Sequence, residues 1–186
     1  MDSRKLATAT LLGVIIFLIK GPLLAPYADF LLIFEAFLVG LGFALLGRGG
    51  GTFVEVVNGA LLTVYTAVTT PALAPFVFPL AILFGVLIDL TGSWFHARVG
   101  SEVNGKKLAA AITVSSALTG IVAYVTTVSV LVSLQFLPSD PTMDLIYGLV
   151  IIAIGVAEGA AGGFLAARVW ERNLKPRFST VQPTVN

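Results

Sequence analysis

Four carboxylates and one amide interrupt stretches that are otherwise apolar: Glu35, Glu55 with Asn58, Asp89 and Glu158. An ionisable side chain in hydrocarbon is costly, so it faces a bundle interior, pairs with a neighbour or touches a ligand. Glu35 reads either as an acid kept protonated or paired with another helix, or as a substrate contact. Capping and helix-to-helix hydrogen bonding account for Glu55 and Asn58 without a ligand. Asn58 lies one turn deeper, on the side of Leu62 and Tyr65, and is also open to a ligand. Thr52 and Glu55 have the capping-box spacing S/T-x-x-E, which ties up free N–H groups at a helix start. Arg48, in the turn Gly47-Arg48-Gly49-Gly50-Gly51, is placed to pair with Glu55. Asp89, Ser93 and His96 fall at i, i+4 and i+7, a stripe that resembles a proton relay or a metal site. A metal needs more ligands than these, which leaves a hydrogen-bonded cluster or a partner-facing edge.

Glu158 stands on a segment dense in small residues, with Gly155, Gly159 and Gly163 at every fourth position. Small residues let membrane helices approach closely. A carboxylate in such an interior is neutral or faces a cation, and it reads as functional. Tyr27, Tyr65, Tyr124 and Tyr147 form either an interfacial belt or a stacking wall for a flat ring. Trp94 and Trp170 read as interfacial anchors. Ala7, Ala9 and Gly13 give the first apolar segment a small-residue face suited to helix docking.

The elements that carry these residues follow from composition. Of 186 residues 57% are hydrophobic and 11% charged, whereas soluble domains carry roughly 25% charged residues. The chain reads as an integral membrane protein, all-α, with six transmembrane helices in one domain over residues 1–172 and a polar tail over 173–186. The predicted spans run from Leu6 to about Leu24, Phe30 to Leu46, Thr52 to Thr70, Val77 to Phe95, Lys107 to Leu134 and Met143 to Trp170. Lengths near 20 residues match about 30 Å of hydrocarbon. Pro71, Pro75 and Pro79 mark a turn before the fourth span, and Arg98 to Lys107 reads as a loop. A cationic start followed by a short apolar run can imitate a secretory signal, but no A-x-A site follows, and a first membrane helix with Lys20 snorkelling to the surface is the reading taken.

With six spans, Arg4, Lys5, Arg48, Arg98, Lys106, Lys107, Arg168, Arg172, Lys175 and Arg177 share one side and Lys20 takes the other. The positive-inside bias then puts both termini in the cytoplasm, as a multi-pass protein of the cell membrane. The net charge of +1 offers no footprint for nucleic acid. No cysteine is present, which excludes disulfides and thiolate metal sites, and one histidine makes an imidazole-built site poor. No cofactor is expected and the chain does not read as an enzyme. It has no phosphate-binding loop with which to hydrolyse ATP.

The run from Arg48 to Leu61 and the final Gly159-Ala160-Ala161-Gly162-Gly163-Phe164-Leu165 resemble an S component of an energy-coupling-factor (ECF) vitamin transporter. The group taking up thiamin or its hydroxymethylpyrimidine precursor is the most similar. That group has a Lys-Pro where Gly49-Gly50 stands, and a basic residue in the last helix where Glu158 stands. The resemblance implies a high-affinity subunit that binds a small vitamin-like ligand from outside. It docks on a membrane coupling subunit carrying two ATPases and topples to release ligand inward. Glu35, Asn58, Tyr65, Tyr124, Tyr147 and Glu158 would then be substrate-binding, Ala7, Ala9 and Gly13 would dock the partner, and Arg48, Thr52, Glu55, Asp89 and His96 would support the architecture. Four intramembrane acids with no central Arg or Lys favour a cationic or protonatable ring. The competing readings are a scaffold or small subunit of a larger membrane complex, and a self-sufficient channel or carrier; the latter lacks a visible inverted repeat.

Overall fold

The computed structural model describes residues 3–23, 32–100, 102–133 and 141–176, those of 127–133 and 141–145 by their backbone alone. These residues form six α-helices: α1 Ser3–Leu18, α2 Leu32–Leu46, α3 Gly50–Thr69, α4 Ala74–Trp94, α5 Gly105–Ser133 and α6 Pro141–Val169. A π-helical turn, Ile19–Leu23, extends α1, and another, Trp170–Leu174, extends α6. The stretch between α4 and α5, expected as a plain loop, holds a two-stranded antiparallel hairpin, β1 Arg98–Val99 paired with β2 Glu102–Val103. Helices α3, α4, α5 and α6 are each long and apolar enough to cross a membrane, and α2 is a shorter apolar helix. The protein is thus a helical, membrane-embedded chain.

Small residues set the helix spacing. A Cβ on Gly13 of α1 would lie 2.7 Å from the Val54 carbonyl oxygen of α3. One on Gly85 of α4 would lie 2.7 Å from the Gly51 oxygen of α3. On α6, Gly162 abuts Ile33 and Ala36 of α2, while Gly159 and Gly163 abut Thr113 and Ala109 of α5. Lipid tails offer no hydrophobic drive between helices, so close backbone approach and the dispersion it brings hold the bundle together. The α4–α5 contact adds a polar rung: Thr91 and Ser115 share a 2.9 Å hydroxyl hydrogen bond, and both are buried.

The largest buried side chains gather at the end that carries the hairpin and the α2–α3 turn, called here the basic end. Phe43, Leu45, Ile88, Leu108 and Ile112 pack together there, and Trp170 joins them at 3% exposure. Trp170 is therefore a core residue, not the interfacial anchor expected, while Trp94 is 78% exposed. Gly47 and Gly49 sit at φ of 78° and 92°, the left-handed region the tight α2–α3 turn requires.

Two helix starts differ from the sequence expectation. α3 begins at Gly50 with Gly49 as its N-cap and no side-chain cap bond. Thr52 is therefore inside the first turn and cannot act as a capping-box N-cap for Glu55. α4 begins at Ala74, three residues before the Val77 expected, because Pro75 sits in the first turn, where a missing N–H costs nothing. At its other end α4 stops at Trp94, so His96 lies in a turn at φ 51° with Nδ1 2.9 Å from the Trp94 carbonyl. The Asp89–Ser93–His96 stripe consequently breaks before its third member.

Candidate functional site

Helix α3 organises the polar interior. Its first turn leaves backbone N–H groups without intrahelical acceptors. Asp89 of α4 supplies them from across the interface. Its Oδ1 accepts from Gly51 N at 3.0 Å, and its Oδ2 accepts from Thr52 N at 2.8 Å and Thr52 Oγ1 at 2.5 Å. A carboxylate at a helix N-terminus also meets the positive end of the dipole. Ser93 turns its hydroxyl back to the Asp89 carbonyl at 2.6 Å. Asp89 and Thr52 thus act as an interhelical clamp that holds α3 and α4 where Gly51 and Gly85 touch.

One turn along α3 from the clamp, Glu55 and Asn58 begin a second polar group. Both are fully buried. Asn58 Nδ2 donates to Glu55 Oε2 at 2.8 Å and, at the longer 3.5 Å, to Glu35 Oε1 of α2. Lys20 Nζ, from the π-helical turn after α1, donates to Glu35 Oε2 at 2.8 Å. Three elements therefore meet in one chain of contacts, Lys20 to Glu35 to Asn58 to Glu55. Glu55 Oε1 and Asn58 Oδ1 are buried and have no hydrogen-bond partner. Buried polar atoms are nearly always satisfied, so two orphan acceptors in one cluster mark a place where a donor or a cation belongs.

This arrangement revises two expectations. Lys20 is not a snorkelling residue: its side chain is 18% exposed and turned inward to an acid. The acids thus do not lack a central cation. Arg48 does not reach Glu55, which no solvent touches; it lines a shallow depression of about 360 Å³ at the basic end, with Phe43, Leu46, Gly47, Ser93, Arg98 and Gly100. Arg98 is fixed there by Nε to the Gly100 carbonyl at 2.9 Å, and partial burial lowers its pKa from the ordinary guanidinium value.

The other residues singled out from sequence fall in three places. Tyr65 continues the Asn58 face of α3 and meets the edge of Phe17, with ring centroids 6.3 Å apart. Tyr124 and Gly148 lie against each other between α5 and α6, and Tyr147 is 58% exposed. Glu158 is buried on α6, one turn from the Gly162 contact with α2. Tyr27 lies outside the described residues. Of the three docking candidates, Ala9 and Gly13 are buried against the interior and Ala7 alone is exposed. A docking face made of all three is therefore not available, because Gly13 is what lets α1 seat on Val54 and Val57.

Sequence reasoning missed Lys20 as a member of the site, and it missed the Thr91–Ser115 rung. Lys20 did carry a signal: it is the one basic residue that the six-span arrangement leaves among the apolar ends opposite the others. Compared with protein-family models, curated proteins and solved structures, the chain has no match to any of them.

Proposed function

We propose that the chain is the membrane-embedded substrate-binding subunit of an ATP-driven, ECF-type vitamin uptake transporter, for thiamin or its hydroxymethylpyrimidine precursor. It crosses the cell membrane six times with both termini in the cytoplasm. The basic end, with Arg48, Arg98, Lys106 and Lys107, faces inward, as the positive-inside bias favours. The observation that carries the reading is the buried set Lys20, Glu35, Asn58 and Glu55 inside an otherwise apolar bundle. A purely structural bundle gains little from two acids and an unsatisfied amide in its interior, since polar groups there cost free energy unless fully paired. A subunit that must admit a polar, protonatable ring has a use for them. The absence of any phosphate-binding loop in the sequence fits a subunit that borrows ATP hydrolysis from a partner.

The substrate enters from the end opposite the arginines. Glu35 and Asn58 supply the polar contacts, Tyr65 with Phe17 supplies an aromatic wall, and Glu158 adds a second carboxylate from α6. The sign of these groups favours a cationic or aminopyrimidine ligand. The partner is a membrane coupling subunit with two ATPases, docked on the exposed stripe of α1 that includes Ala7, Leu11 and Leu18.

Thermal unfolding of the purified protein with thiamin, with hydroxymethylpyrimidine and with a panel of other vitamins tests this. A ligand that binds only the folded state at 100 times its Kd stabilises it by about 2.7 kcal/mol, a readily measured rise in Tm. No rise with any of them, together with stable co-purification of unrelated membrane subunits, would overturn the reading in favour of a scaffold.

A further inference from the structure

The Lys20–Glu35–Glu55 group does not balance its formal charges. Lys20 contributes one positive charge and the two acids contribute two negative ones. Lys20 and Glu35 answer each other at 2.8 Å. Glu55, at zero exposure, has only the Asn58 amide as a short-range donor, and its Oε1 has none. Glu35 and Glu55 converge on the same amide, Asn58 Nδ2, at 3.5 and 2.8 Å, which brings the two carboxyl groups together in one buried cluster. An ionised carboxylate held in a dry interior beside another carboxylate is strongly disfavoured, so such pairs hold one proton between them.

The groups facing the pair from each packed element support the same assignment. The turn after α1 brings Lys20, and α2 brings Glu35. From α4 comes Asp89, whose carboxylate is committed to the Gly51 and Thr52 donors. α6, which packs on α2 at Gly162, carries the buried acid Glu158 one turn from that contact. Among the described residues Lys20 is the single cation these elements aim at the pair.

We infer that Glu35 and Glu55 form a binding site for one exchangeable proton, carried on Glu55 Oε1 and directed at the ionised carboxylate of Glu35. Lys20 decides which acid is ionised, because it sits on Glu35. Asn58 positions Glu55 by holding Oε2, which leaves Oε1 as the atom that takes the proton. A proton needs no cavity, in keeping with atoms that have almost no accessible surface. Exchange with water runs through Glu35 and Lys20, whose side chains keep 6% and 18% exposure. The proton arrives from solvent and returns to it, so no other reactant is involved. The inference does not depend on which solute the protein carries.

Infrared spectroscopy of the purified protein without ligand, at neutral pH, reads the protonated carboxyl stretch directly. Wild type is expected to show a band from Glu55 that shifts in D₂O. Glu55→Gln, a neutral near-isostere of the protonated acid, should lose one carboxyl's worth of that band and keep its thermal transition. Lys20→Met removes the charge that keeps Glu35 ionised, so the band should grow by one carboxyl as Glu35 takes up a proton. An unchanged band in a folded Glu55→Gln protein overturns the inference. An unchanged band in Lys20→Met overturns it independently, and so does loss of the wild-type band on replacing choline with sodium, which would assign the site to a metal cation. None of these readouts uses a vitamin, so failure of the transport reading leaves them intact.

Discussion

Lys20 and Glu35 are each other's counter-charge where neither has free access to water, and that makes them vulnerable singly. Removing one member of a buried pair leaves an uncompensated charge, at a cost of about 3–5 kcal/mol, unless a proton neutralises it. Glu35→Gln, which strands Lys20, should therefore lower the Tm in detergent sharply, Lys20→Met should lower it less because Glu35 takes up a proton, and the double variant should lose less than the two single losses combined; a double loss equal to their sum would show that the pair is uncoupled. If the ligand is cationic, Glu158→Gln should weaken thiamin binding with little change in Tm, and unchanged affinity in a folded variant would remove Glu158 from the site. The polar residues were legible in the sequence because each stands out against an apolar background. Their partners were not. Glu55 could be assigned to Arg48 or to a cap by spacing, yet it bonds Asn58, because a helix that starts at Gly50 turns Glu55 inward, away from the turn that holds Arg48.

At the scale of elements, one carboxylate from α4 caps α3. Asp89→Asn would leave first-turn donors of α3 with a weaker acceptor, and Asp89→Ala would leave them with none. Deleting the partner of buried donors costs about 1–3 kcal/mol each, so Asp89→Ala should be the more damaging by thermal unfolding. Thr52→Ala should add little on top of it, since both act in the same clamp. Spacing between helices gives a second test. A leucine at Gly85 would drive its Cβ to 2.7 Å from the Gly51 oxygen and the Thr52 Cα. Gly85→Leu should therefore abolish a monodisperse peak after detergent extraction, whereas Gly120→Ala, whose nearest neighbour is 3.5 Å away, should leave it unchanged. Helix existence was visible from hydropathy alone, with bounds within a few residues of those observed. The hairpin at Arg98–Val103 was not visible, because two-residue strands carry no period. The end of α4 at Trp94 was missed for a related reason: nothing in Phe95-His96-Ala97 breaks a helix locally, and the left-handed His96 is imposed by the turn that follows.

At the scale of the whole molecule, among the described residues Arg48 of the α2–α3 turn, Arg98 of the hairpin and Lys106 and Lys107 at the start of α5 fall at one end of the bundle, the pattern the six-span reading expects. The sequence has no cysteine, so single probes can be introduced without background. Glu102→Cys, exposed in the hairpin, should react with an impermeant thiol reagent only after the membrane is opened. Thr70→Cys, exposed at the far end of α3, should react in intact cells, and the reverse pattern would invert the topology. Membrane embedding and helix number are properties of composition and order along the chain, because the bilayer acts on each segment's own hydropathy. Those the sequence determined by itself. Which acid meets which cation, which glycines touch, and that Trp170 is core while Trp94 faces outward depend on the rotation of each helix about its axis. Hydropathy is nearly uniform around these helices, so it does not specify that rotation. Only packing between helices does, through close contacts such as Gly13 on Val54 and Gly85 on Gly51, and so tertiary structure alone brought Lys20 to Glu35.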